Sequence, residues 1–152
     1  MKKVKQHLKD KYILFGVIAL IVLILDQVAK YFVKLTPLSS KHVLVEGWLS
    51  FSHVHNFGAS FGMLQNQTSL LIWFSIIVIA GIFFYLHEIP QKYIPWLGLI
   101  LGGTLGNLVD RISYGFVIDF LSIAKWPDFN IADVAISVGA LVLAWVIARE
   151  KN

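Results

Sequence analysis

Two aspartates, Asp119 in GFVIDF and Asp133 in FNIAD, have the best claim on chemistry in this chain. Each stands at the edge of a strongly apolar segment, where a carboxylate is costly and its presence points to function. They lie 14 positions apart and flank one loop that must turn back to start the next apolar segment, so a close pair is geometrically easy. Two carboxyl groups brought together away from water share one proton, because repulsion and desolvation raise one pKa. One member can then take a proton from water while the other gives one to a carbonyl oxygen or a leaving nitrogen. Simpler readings exist for each acid alone. Asp133 can compensate the positive N-terminal end of a helix capped by Asn130, and Asp119 can be a loop acid in water.

Other polar groups gather near this pair in sequence. Asn107, Asp110 and Arg111 in GNLVDR are spaced i, i+3 and i+4, so they project together from a helix end. Either Asp110 and Arg111 pair with each other, or the three form a polar wall for a substrate backbone, to which a guanidinium fork is suited. Gly102, Gly103 and Gly106 precede them and allow close helix packing. Asp26 and Lys30 in DQVAK share a helix face, as an ion pair or as a group that orients outer loops or meets a lipid head. NFGASFGML supplies Asn56, Gly58, Ala59 and Gly62, either a glycine-rich turn or a place where a peptide or acyl chain approaches the backbone. Gly58 and Gly106 are taken as supporting positions. His53 and His55 point the same way on a strand, but a metal would need a third ligand, and a structural or interfacial role is expected. The chain has no cysteine, which removes disulfides, thiolate nucleophiles and Cys-ligated metals. G-x-S-x-G, H-E-x-x-H and H-x-x-E-H are also missing from the sequence. No cofactor is expected.

The elements that must position these residues are membrane helices. Of 152 residues, 57% are hydrophobic and 14% charged, too few charges to cover a water-soluble surface. Mean hydropathy is +0.72. Four apolar runs, at about 12–33, 69–87, 94–112 and 131–148, are each long enough for a bilayer, which takes roughly 20 helical residues. The lysine-rich start followed by YILFGVIALIVLIL looks like a secretory leader, but the run continues into DQVAKYFVK without a cleavage signal, and a retained anchor is expected. Lysines and arginines concentrate in the two tails and the loop holding Lys92, which predicts both termini on the cytoplasmic side. The net charge of +4 then reflects topology, and no nucleic-acid partner is expected. HEIPQKYIP is a tight turn. HVLVEGWLSFSHVHNFG alternates like a strand pair turning near Glu46-Gly47, and YGFVIDFLSI reads as a short extended piece. Trp48, Phe51 and Phe57 suit headgroup depth. The expectation is one membrane-embedded domain over residues 1–152, an all-α membrane protein with a small outer β element. A proton- or ion-coupled transporter is the alternative. The acids gather at the outer ends of the runs, however, and no inverted repeat is visible.

DQVAK, HNFGASFGML, GNLVDR, GFVIDF and FNIAD occur in that order across nearly the whole chain. In this the chain resembles the bacterial lipoprotein signal peptidases (signal peptidase II). The resemblance implies a four-helix aspartyl endopeptidase of the bacterial inner membrane with its active site at the outer leaflet. Such an enzyme cleaves prolipoproteins just before a diacylglyceryl-modified cysteine and is inhibited by the peptide antibiotic globomycin. It implies that Asp119 and Asp133 are the catalytic pair. Asn56, Asn107, Arg111 and Asn130 would contact substrate or inhibitor, and Asp26, Lys30 and Asp110 would support them. A periplasmic β-cradle and a mobile extracytoplasmic helix, the lid, would fall between Thr36 and Gln67. An acid pair needs no metal, so peptidase activity should survive chelation. A loss on chelation, restored by zinc and read by the same cleavage assay, would bring His53 and His55 back as ligands.

Overall fold

Apolar runs with no internal proline become helices, and the short alternating stretches between them become strands. The computed structural model describes residues 2–59 and 63–150, with side chains from Lys9 onward. The order is α1 (Lys2–Lys34), β1 (Lys41–Val45), β2 (Leu49–Asn56), α2 (Thr68–Tyr85), a 3-10 turn (Gln91–Tyr93), α3 (Ile94–Tyr114), β3 (Val117–Ile123) and α4 (Ile131–Glu150). Pro95 sits in the first turn of α3, where its missing N–H costs nothing. Gly115 ends that helix in the left-handed region, at φ 81°, and returns its N–H to the Arg111 carbonyl at 3.0 Å.

Burial is inverted relative to a water-soluble protein. Leu20, Leu25, Phe32, Trp73, Ile77 and Phe84 are exposed, while Asp26, Lys30 and Asp110 are 0%, 1% and 1% exposed. Such a surface suits hydrocarbon. Three helical segments, Lys9–Lys34, Thr68–Tyr85 and Ile131–Glu150, are long and apolar enough to cross a membrane. The expected fourth, α3, has 21 residues but a more polar make-up. Its place explains that. It is the central helix, packed on α1, α4 and α2, so Thr104, Asn107 and Asp110 are buried against protein.

Small residues let the neighbours of α3 come close. Gly98, Gly102 and Gly106 form a stripe against Ile18, Ala19 and Asp26 of α1, so α1 and α3 run parallel. Gly103 faces the Ala132 carbonyl of α4, and Gly139 of α4 faces the Trp96 carbonyl. Lys11 of α1 donates to the His87 carbonyl beyond α2, and Tyr93 bonds Glu150 at the end of α4. The start of α1 and the end of α4 therefore lie at one end of the bundle.

The sheet caps the other end. β1 and β2 form the expected hairpin, turning at Gly47 with φ 71°. The extended piece is a third strand, paired antiparallel to β2 with Val54 opposite Asp119. "All-α" is thus corrected to mostly helical with a three-stranded sheet in the order β1-β2-β3. β2 and β3 pair across 61 to 74 residues of chain, and pairing at that range leaves no local signal. Ile118 and Phe120 of β3 pack with Val33 at the end of α1 and fix the sheet to the bundle. Trp48, Phe51 and Phe57 are exposed, as interfacial aromatics would be. The expected lid helix falls partly on residues 60–62, outside the described residues; the described remainder of that segment is strand, turn and bend, with no helix among its described residues.

A methyl group added at Gly102 would stand 2.6 Å from the Ala19 carbonyl oxygen, whereas one at Gly81 meets nothing within 4 Å. Gly102→Ala should therefore lower thermal stability in detergent micelles by about 1–3 kcal/mol equivalent, and Gly81→Ala should leave it unchanged or slightly raised.

Candidate active site

Asn130 stands at the start of α4 because its side chain answers the unpaired amides there. Its Oδ1 accepts the Asp133 N–H at 2.9 Å, and Asp133 Oδ2 accepts the Asn130 N–H at 3.2 Å, a reciprocal cap. The dipole-compensating role considered for Asp133 is thus real, and it also aims the carboxylate. The Asn130 amide group then reaches the other acid, donating to Asp119 Oδ1 at 2.7 Å and to Asn107 Oδ1 at 3.1 Å. Asp119 Oδ2 accepts from Asn56 at 2.8 Å, and Asp133 Oδ1 accepts from Asn107 at 2.8 Å. The two aspartates are therefore brought to one asparagine from opposite sides, each with a second asparagine behind it.

What makes this possible is the return of the loop after β3. Phe129 exchanges backbone hydrogen bonds with Leu121 at 2.8 and 2.9 Å, which lays Asn130 beside Asp119. Asp128 takes hydrogen bonds from Ser52 and Ser122 and ties the same loop to the sheet. Asp119 is 1% exposed, so it is a buried acid and not a loop acid in water. Burial, and next the charge of Asp133, push its pKa up from 3.8 to about 7, against the hydrogen bonds from Asn56 and Asn130.

The supporting residues meet around Lys30. Lys30 Nζ lies 2.7 Å from Asp26, 2.9 Å from Asp110 and 3.1 Å from Asn107. Asp26 and Lys30 are the expected i,i+4 pair, but Asp110 pairs with Lys30 and not with Arg111. Arg111 instead donates to the Gly58 carbonyl at 3.1 Å, and the Gly58 N–H bonds Asn56 at 2.9 Å. Gly58 is held there without room for a side chain, since an added methyl would stand 2.6 Å from the Met63 carbonyl oxygen. Gln27 was missed. Its amide donates to Asp110 at 3.0 Å, the Gly106 carbonyl at 3.2 Å and Asp26 at 3.3 Å. Its position beside Asp26 in DQVAK was the available signal. His53 and His55 do not touch either acid: His55 borders the small cavity that Asp119 lines but stacks on Phe116 at 3.8 Å, and His53 Nδ1 donates to the Thr36 carbonyl at 3.0 Å.

A cleft of about 670 Å3 opens in front of Asp133, lined also by Asn56, Asn107 and Arg111. Its deeper walls are apolar, from Leu71, Phe74 and Val78 of α2 to Ile136 and Val138 of α4. These two helices pack on α3 but hardly on each other, which leaves the gap. Asp119 lines a smaller neighbouring cavity of about 250 Å3, and Asn56, Ala59, Pro127 and Asp128 border both.

The sequence model of the family described as signal peptidase (SPase) II matches residues 18–149. The chain belongs to the signal peptidase II family. A lipoprotein signal peptidase of Moorella thermoacetica is 38% identical over 135 residues, 86% of this chain and 90% of its own length. One from Syntrophomonas wolfei is 41% identical over 135 residues, with 86% and 90% covered. A bacterial membrane enzyme solved by the in meso method shares the fold at TM-score 0.86 and 24% identity, covering 91% of this chain and 89% of its own. A second gives TM-score 0.78 at 25% identity, covering 88% and 91%. Membership in the signal peptidase II family makes the chain an aspartic peptidase of membranes and sets the transporter alternative aside.

The raised Asp119 pKa has a consequence for stability. Its folded value of about 7 lies above the ordinary 3.8, so its contribution is complete below about pH 4 and is lost as the pH rises through 7. Thermal unfolding in micelles should show the wild type losing stability between about pH 4 and 8 relative to Asp119→Asn. A pH-independent gap between the two would contradict the buried, coupled carboxyl.

Proposed function

We propose that this signal peptidase II cuts prolipoprotein signal peptides with Asp119 and Asp133 acting on one water molecule. The observation that carries this is the shared Asn130, which holds both carboxyl groups at one place beside the cleft. Near neutral pH the pair holds one proton, consistent with an Asp119 pKa of about 7. The unprotonated carboxylate takes a proton from water, and the oxygen attacks the scissile carbonyl carbon. The protonated partner covers the developing oxyanion and then supplies the proton that the leaving nitrogen needs. Asn56, Asn107 and Arg111 border the cleft and offer amide and guanidinium groups to an extended peptide backbone.

The cleft fits a substrate that is part lipid. Its polar mouth lies beside the acids and its apolar walls run down between α2 and α4. A diacylglyceryl-modified cysteine presents a peptide bond at the membrane surface with acyl chains below it, which matches this division. On this reading α3 is the fourth transmembrane helix, sheltered by the other three. The basic end of the bundle, with Lys11 and Lys92, then faces the cytoplasm together with both termini, and the site opens at the outer leaflet of the inner membrane. Residues 1–152 form one peptidase domain. A globomycin-type cyclic peptide would compete for the same cleft.

Purified protein incubated with a lipid-modified prolipoprotein should release the signal peptide, read as a mass shift. Asp119→Asn and Asp133→Asn should each lower kcat by about 1,000-fold or more while remaining folded in micelles. Substantial cleavage by either variant would refute the acid pair.

A further inference from the structure

The buried cluster around Lys30 is connected to the acid pair in a way that its role as a helix brace does not require. Asp26 and Asp110 each use one oxygen for Lys30, and Gln27 bridges the two. Each carboxylate also takes one main-chain amide from outside its own helix. Asp26 Oδ1 accepts the Ala132 N–H at 2.9 Å, and Asp110 Oδ2 accepts the Ile118 N–H at 3.1 Å. Ala132 is the residue before Asp133, and Ile118 is the residue before Asp119. The same buried cluster therefore grips the chain immediately ahead of both acids. One grip is on the first turn of a helix and the other is on a strand. These two segments are also joined directly, by the Phe129–Leu121 backbone bonds and by Asn130 on Asp119, so the buried cluster is a second, independent tie between them. Asn107 adds a third link, since its Oδ1 faces Lys30 while its amide group holds Asp133.

We infer that Asp26 and Asp110 are positioning residues that set the separation of Asp119 and Asp133, each through the amide just before its partner. Lys30 and Gln27 hold the two grips at a constant distance. The inference rests on the acid pair proposed above. A shared water requires both carboxyl groups within hydrogen-bond reach of one oxygen, and a displacement of about 1 Å at such a site can cost about 100-fold in rate. Neither Gln27 nor Asp110 borders the cleft, so their effect should fall on kcat and leave KM unaltered. A brace that only holds α1 to α3 would give the opposite pattern: lower thermal stability, with normal turnover in the molecules that fold.

The test is steady-state cleavage of a lipid-modified prolipoprotein by purified full-length variants, with thermal unfolding measured alongside. Gln27 is only half-buried, so Gln27→Met should fold. It should lose about tenfold in kcat with KM within about twofold of wild type. Asp110→Ala should lose about 100-fold. Asp110→Asn keeps an oxygen for the Ile118 N–H, and Gln27 can turn its own amide to meet the new NH2, so this variant should recover most of that loss. Wild-type kcat in Gln27→Met overturns the inference, as does equal impairment of Asp110→Ala and Asp110→Asn. If Asp110→Ala does not fold, Gln27→Met decides alone. Asp119→Asn separates this from the parent reading: an active Asp119→Asn overturns both, whereas an inactive one beside an unimpaired Gln27→Met overturns only the positioning role.

Discussion

An ammonium group cannot be left unpaired inside an apolar bundle, and the arrangement of this protein follows from how Lys30 is paired. Two carboxylates and an amide oxygen surround it. The second carboxylate's charge is met by donors: the Gln27 amide and the main-chain amides of Ala132 and Ile118. Removing one partner from such a cluster leaves a buried charge without compensation, at about 3–5 kcal/mol. The requirement reaches beyond the helices. It recruits the start of α4 and the edge of β3, so satisfying one cation draws together the chain segments that carry Asp119 and Asp133.

The glycine stripe is the steric half of the same constraint. Asp26 can reach Ala132 past α3 only because Gly106 has no side chain there; an added methyl would stand 2.6 Å from Asp26 Oδ2. Close backbone approach is how membrane helices pack when the surrounding lipid is as apolar as their own side chains. Here it also lets short polar side chains span from one helix to the next. α3 therefore exchanges hydrophobicity for polar connections, and it can do so because three other helices surround it.

Asn130 shows local and functional demands met by one residue. A helix start needs its amides answered, and the reciprocal bonds with Asp133 answer them. Those bonds leave Asp133 half-buried at the cleft with its other oxygen held by Asn107. The remaining donors of Asn130 are free to hold Asp119. A capping motif that would serve any helix here also holds a second acid, because β3 and its returning loop put Asp119 in front of it.

Much of this was determined by the sequence alone. Apart from the start of α1, which reaches back through the lysine-rich tail to Lys2, the apolar runs place the helix ends within about two residues, because a spanning helix must satisfy its own backbone and so advertises itself by composition. The i,i+4 pair of Asp26 and Lys30, the turn at Gly47 and the cap at Asn130 are local geometry and were equally legible. So was the prominence of Asp119 and Asp133, two acids at the edges of strongly apolar segments on either side of one loop. Only the tertiary structure decided the rest: that GFVIDF runs into the third strand of a sheet begun 76 residues earlier, that Asp110 turns to Lys30 and leaves Arg111 to Gly58, and that Gln27 joins two carboxylates on different helices. Each of these depends on which segments lie side by side. Spacing along one helix can show which residues share a face, but not which neighbouring group that face will meet.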